Sequence, residues 1–228
     1  MVVFVTLLSI AITIGAYLLS KVAGKWYPSP LTTPVFFSTT LIIILLLSLG
    51  INFAEYTIAK EIMTFLLGPA TVALAVPLYK NRDTIKKHSA PALLGIVFGT
   101  VSTIISAVIL SKLLNLSNEM IASASVKSVT VPVAVEVSAI FGGDPSLTAA
   151  FVVATGILGT MLGPWLMNIT SITHPLSRGL ALGTISHGQG TAHAATEGEL
   201  QGAIAGVAMG LAAVFTAIIA PIIVPFFL

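Results

Sequence analysis

Ser186-His187-Gly188-Gln189-Gly190-Thr191-Ala192-His193 is a polar, glycine-rich stretch inside a run, Leu176–Thr196, that otherwise reads as one more membrane-spanning segment. Hydrocarbon offers no partner to an exposed amide or imidazole, so such a stretch is tolerated only where it faces protein or a watery cavity. It sets the expectation for the whole chain: an apolar helical frame, with a binding site where the polarity gathers.

The surrounding composition agrees. Of 228 residues, 56% are hydrophobic and 8% charged, and the mean hydropathy is +1.05; a soluble domain carries about 25% charged residues. Six windows lack Asp, Glu, Lys, Arg and His and approach the roughly 20 residues a bilayer core requires: Val2–Ser20, Leu31–Ala54, Ile62–Tyr79, Ser89–Ser111, Pro145–Thr173 and Leu200–Leu228. Strands would need polar alternation at every second residue, and none is present. The fold class expected is therefore an all-α polytopic membrane protein, a single domain over 1–228. The net charge of +2 and the scattered basic residues argue against nucleic acid, and the lack of cysteine excludes disulfides and thiolate metal sites. Met1–Ser20 has no basic n-region and reads as a retained first span rather than a signal peptide.

Basic residues crowd Lys80-Asn81-Arg82-Asp83-Thr84-Ile85-Lys86-Lys87, and Lys21 and Lys25 follow the first span. Both loops are expected in the cytoplasm, with Asn52–Glu61 and Asn115–Glu119 outside. Beyond Glu119 two apolar stretches carry polar interruptions: Met120–Gly143, with Lys127, Pro132 and Glu136, and Leu176–Thr196, with Arg178, Gly183, Gly188 and Gly190. If both cross there are eight spans; if either is re-entrant there are fewer. About seven to eight transmembrane segments, including two broken or re-entrant helices, is the expectation. Pro69-Ala70-Thr71-Val72-Ala73-Leu74-Ala75 echoes Pro132-Val133-Ala134-Val135-Glu136-Val137-Ser138. Paired interrupted segments point to transporter sites, while small apolar residues also recur by chance, so an internal repeat stays open.

A charge near mid-membrane costs roughly 2.5–3.5 kcal/mol and normally has a partner or a cavity. Lys127, Ser128 and Thr130, with Pro132 freeing a carbonyl one turn earlier, suit a broken helix that binds an anionic group. The plain alternative is an ion pair or a snorkelling lysine. Lys127 and Glu136 are nine residues apart, about 13 Å on an unbroken helix, so they pair only if the break folds the segment. In the second stretch, Gly188 and Gly190 let the backbone unwind beside Ser186, His187 and Thr191; the plain alternative is a packing histidine bonded to a neighbouring carbonyl. Arg178 is either a second anion contact or an interfacial anchor. Gly68-Pro69 and Gly163-Pro164 read as breakers or kinks, and Asp144 as a helix cap. His88 and His174 belong at span ends. The dispersed histidines, few acids and absence of a phosphate loop give no catalytic constellation, no metal site and no cofactor, so an enzyme is not expected.

Leu67-Gly68-Pro69-Ala70-Thr71-Val72-Ala73-Leu74-Ala75-Val76-Pro77-Leu78-Tyr79, Lys127-Ser128-Val129-Thr130-Val131-Pro132, and Gly179-Leu180-Ala181-Leu182-Gly183-Thr184-Ile185-Ser186-His187 with Gly190-Thr191-Ala192 together resemble the LrgB/CidB family over essentially the whole chain. The resemblance implies a bacterial inner-membrane protein, antiholin-like, affecting murein hydrolase export and autolysis beside a small holin-like LrgA/CidA partner. A similar domain forms part of the plant plastid glycolate/glycerate transporter, and bacterial relatives are linked to pyruvate. One departure stands out: His193 replaces the family's usual arginine, and Thr196 its usual acid, with Glu197 one place later.

The reading that joins these observations is a transporter of small monocarboxylates (pyruvate, glycolate or glycerate) working by alternating access in a homodimer. The site residues expected are Lys127, Ser128, Thr130, Pro132, Glu136, Ser186, His187, Gly188, Gly190, Thr191 and His193; proton coupling through His187 or Glu136 is left open. The alternative is an antiholin-like regulator acting with the LrgA/CidA-type partner. A passive channel would need a continuous polar path, which the single polar cluster does not offer.

Overall fold

The computed structural model describes residues 2–27, 29–66, 69, 72–73 and 75–228, and the described residues form helices without a strand. Among the described residues, four helices are long and apolar enough to cross a membrane: Val3–Trp26, Ser89–Leu113, Pro145–Ile169 and Glu199–Phe227. Each answers one of the charge-free windows. The chain divides into two compact units, Met1–Val76 and Pro77–Leu228.

In the first unit, α1 (Val2–Trp26) packs against α2 (Pro34–Ser48) and α3 (Phe53–Phe65). Its inner face carries Thr6, Ser9, Thr13, Ala16 and Ser20, small residues at helical spacing that let backbones approach closely. The Tyr56 hydroxyl lies 3.2 Å from that of Thr13, which donates to the Ser9 carbonyl at 2.8 Å. The window Leu31–Ala54 does not form one span. A single 3-10 turn, η1 (Pro30–Thr32), precedes Pro34 at the first turn of α2, and Gly50 at φ 66° turns the chain after it. The window Ile62–Tyr79 contains the end of α3 and the start of α4 (Ala75–Lys80). Of Gly68-Pro69 and the first half of the suspected repeat, Gly68, Ala70, Thr71 and Leu74 lie outside the described residues.

The second unit is built on three 25-residue helices, α6 (Ser89–Leu113), α9 (Pro145–Ile169) and α11 (Glu199–Ile223), with a short basic helix α5 (Arg82–Lys87) before them. Asp144 caps α9, accepting from the Leu147 amide at 2.7 Å, as expected. Pro164 sits inside α9 without ending it, so Gly163-Pro164 is not a break. Two further elements depart from straight helices. The first is α7 (Asn118–Ser125), a non-helical link 126–130, and α8 (Val131–Ala139). The second is α10 (Pro175–Glu197), which kinks at His187.

Both fold back on themselves. The Ser123 hydroxyl meets the Asp144 amide at 2.9 Å, although 21 residues of unbroken helix would hold them ~30 Å apart. Arg178 reaches Glu197 at 2.6 Å, where a straight α10 would again separate them by ~28 Å. The unit thus has two helical hairpins, one over 118–144 and one over 175–197. Hairpin 118–144 joins the core of Ile104, Val108, Val152, Ala220 and Val224. Hairpin 175–197 packs at the opposite end of the same three helices, where Met167 meets Leu182, Ala194 and Ala205 and where Ile96 meets Ala208. Lys80 pairs with Glu199 at 3.3 Å at that end, and Asn118 donates to the Leu228 carbonyl at 2.9 Å at the other.

Candidate functional site

At the tip of hairpin 175–197, His187 has φ 42° and ψ −130°, a combination that belongs to glycine and strains an L-residue by about 1–3 kcal/mol. The surroundings hold it there. Its Nε2–H donates to the Val152 carbonyl of α9 at 3.1 Å, and the ring is buried. The Thr191 hydroxyl donates to the His187 carbonyl at 2.9 Å and lies 3.3 Å from the Ala205 carbonyl of α11.

Glycines permit this packing. A methyl group on Gly190 would strike the Leu182 carbonyl, and one on Gly183 would strike the Ala205 backbone. On α9, a methyl on Gly156 would collide with Gln189 Oε1 and with His187 Nε2 at 2.8 Å, and one on Gly159 with Ser186 Oγ. The tip therefore lies directly on a glycine face of α9. Two of its oxygens, Ser186 Oγ and Gln189 Oε1, are buried there without a hydrogen-bond partner. An unpaired buried polar group costs about 1–3 kcal/mol, so oxygens left open at a tip are places for a ligand or water.

The link 126–130 repeats the arrangement at the other hairpin. Ser128 is buried with its Oγ unpartnered, and Lys127 beside it is half-buried. Among the described residues, no ion pair includes Lys127 or Glu136. Thr130 is the extended residue before α8 and Pro132 stands in its first turn. Proline there starts a helix, because first-turn amides have no intrahelical partner; it does not free a carbonyl within one, as the sequence reading had it.

The eleven expected residues are spread over the two hairpins. Ser186, His187, Gly190 and Thr191 meet at one tip, and Gly188 lies there exposed. Lys127 and Ser128 occupy the other tip. Glu136 and Pro132 face outward on α8. His193 is one turn from the base of its hairpin, 3.6 Å from Glu197, which Arg178 grips through Nε at 2.7 Å and Nη2 at 2.6 Å. Arg178 Nη1 also donates to Asn168 Oδ1 at 2.9 Å and to the Ile172 carbonyl at 3.0 Å. It clasps the hairpin shut and is committed to these partners. The sequence reading passed over the α9 side of the tip, Val152, Gly156 and Gly159; the Gly-x-x-Gly spacing in Gly156-Ile157-Leu158-Gly159 was its visible signal.

Comparison with known proteins adds the lineage. The family model for LrgB-like proteins matches residues 13–226. An uncharacterised protein of Bacillus subtilis, YxaC, is 37% identical over 196 residues, covering 86% of this chain and 85% of the relative. The antiholin-like protein LrgB of the same organism is 32% identical over 191 residues, covering 84% and 81%. The holin-like protein CidB of Staphylococcus epidermidis is 32% identical over 187 residues, covering 82% of each. No solved structure matches the chain.

Proposed function

The chain belongs to the LrgB-like family, and we propose that this multi-pass membrane protein is a carrier of small monocarboxylates rather than an enzyme. One observation carries the reading: two helical hairpins end in buried tips whose oxygens, Ser128 Oγ on one and Ser186 Oγ and Gln189 Oε1 on the other, have no partner. Arms of roughly ten residues are ~15 Å long, half the ~30 Å of a hydrocarbon core. Hairpins entering from opposite faces therefore end near the midplane, where carriers hold their substrates.

On this reading the basic loop Lys80–Lys87 and the base of hairpin 175–197 face the cytoplasm of a bacterial inner membrane, and Asn118 and the base of hairpin 118–144 face outward. Lys127, the Ser128 hydroxyl and the first-turn amides of α8 supply positive charge and donors to a carboxylate. The outward-facing Glu136 then lines an aqueous vestibule or a contact in the expected homodimer. His187 is a positioning residue, since its Nε2 is bound to Val152. Access alternates as the hairpins move against α6, α9 and α11.

Two relatives bear the names antiholin-like and holin-like. Those names support a second reading more directly than they support the carrier: a regulator of murein hydrolase export that acts with a holin-like LrgA/CidA-type partner. Uptake of labelled pyruvate and glycolate into proteoliposomes separates the two. Saturable uptake that Lys127→Ala abolishes and Lys127→Arg partly keeps is the expected result. Absence of uptake for both acids by folded protein would transfer the assignment to the regulator.

A further inference from the structure

The two hairpin tips differ in chemistry. The link 126–130 carries the charge of Lys127 and, on the next residue, the unpartnered hydroxyl of Ser128. At the 175–197 tip the side chains offer oxygen and no charge. Ser186 is 1% exposed with an unpartnered Oγ, and Gln189 presents a buried, unpartnered Oε1. Both lie on consecutive turns of α9, against Gly159 and Gly156. The neighbouring hydroxyl protons are already given to carbonyls, Thr191 to His187 at 2.9 Å and Thr160 to Gly156 at 2.9 Å.

The orientation of the Gln189 amide follows from His187. Both Oε1 and His187 Nε2 border the space beside Gly156, and Nε2 carries the proton it donates to Val152. Flipping the amide would set its NH2 donors beside an N–H donor, so the carbonyl oxygen belongs where it is. The site lacks an acid as well: Glu197, the one carboxylate in Pro175–Glu197, is held by Arg178 at the far end of the hairpin, and Pro145–Ile169 contains none.

Neutral, unpartnered oxygens suit one class of ligand. Divalent cations require carboxylates or several retained waters, and an anion would find no positive charge on these side chains, with the Ser186 hydroxyl still free to donate but those of Thr191 and Thr160 already committed. A monovalent alkali ion is satisfied by hydroxyl, amide and backbone carbonyl oxygens, such as those where a half-helix ends. We propose that the tip of hairpin 175–197 binds a sodium ion through Ser186 Oγ, Gln189 Oε1 and carbonyl oxygens where its first arm ends at His187. The inference extends the carrier reading by naming its driving ion, which would sit on one hairpin while the carboxylate sits on the other.

Binding tests it without transport, so its failure leaves the carrier reading standing. The full chain in lipid nanodiscs is melted in NaCl, KCl and N-methyl-D-glucamine chloride at one ionic strength. Sodium raises Tm saturably, by about 5 °C at a hundredfold excess over Kd, and the organic cation does not. Gln189→Ala and Ser186→Ala abolish the shift. Gln189→Glu keeps the side chain's shape, adds a charge and tightens sodium at least tenfold, an effect that a packing role would not produce and that carries the test if the alanine variants do not fold. Superimposed melts in the three salts, or a sodium shift unchanged by all three substitutions, would overturn the assignment.

Discussion

Arg178 and Glu197 are 19 residues apart in one helical element, yet two hydrogen bonds, of 2.7 and 2.6 Å, join them. Side chains so far apart meet only if the element between them reverses, and the reversal falls at His187, where φ is 42°. The ion pair closes the base of a hairpin whose strained residue forms its tip.

Arg178→Ala removes the clasp and leaves Glu197, 16% exposed, with His193 alone. The loss expected is about 2 kcal/mol, between the values for breaking an exposed and a buried pair. Arg178→Lys recovers part of it, because an ammonium cannot make the two-point contact. Thermal melts of the three proteins in one detergent give the comparison; equal Tm values would show that the clasp does not hold the hairpin.

His187 offers a test of strain. Replacement by glycine removes the unfavourable backbone geometry, worth about 1–3 kcal/mol, and also the bond to Val152, worth about 1 kcal/mol. Replacement by alanine loses the bond and keeps the strain. His187→Gly is expected to melt above His187→Ala, and the opposite order would mean that the kink is not as described.

Glycine substitutions rank by what they meet. Gly183→Ala drives a methyl into the Ala205 backbone and is expected to prevent stable folding, whereas Gly206 and Gly210 have nothing within 4 Å of an added carbon. Gly206→Ala and Gly210→Ala should be neutral, or stabilise by about 0.5–1 kcal/mol as helix interiors do when glycine is replaced. For Gly159→Ala the nearest atoms are side-chain atoms of Ser186 and Ile185 rather than backbone, so folding is expected to survive and ligand effects at the tip to be lost. Expression and melting of the four variants test the order.

The chain contains no cysteine, so single cysteines report topology on a clean background. In oriented membranes, cysteines at Asn118 and Gly142 should react with an impermeant maleimide from one side, and cysteines at Thr173 and Glu199 from the other. Labelling of Asn118 and Gly142 from opposite sides would make 118–144 a crossing segment and remove the re-entrant arrangement.

Much of the frame was legible in the sequence because hydrocarbon is an undemanding solvent to read. Charge-free windows anticipated Val3–Trp26, Ser89–Leu113, Pro145–Ile169 and Glu199–Phe227, and Asp144-Pro145 announced the start of α9. The polar interruptions at Lys127–Thr130 and Ser186–Thr191 were visible for the same reason. Their partners were not. That Ser123 returns to Asp144 and Arg178 to Glu197 depends on backbone reversal at two short links, and local composition suits a crossing helix and a hairpin equally well.

Apolar length and the placement of charge determined that this protein is a helical membrane protein with two interrupted segments, because each residue's transfer between water and lipid is a local property. The tertiary structure alone decided that the segments are hairpins and that His187 is held by Val152. It also decided that Ser186 and Gln189 meet the glycines of α9, since contacts between residues distant in sequence arise only when separate helices pack.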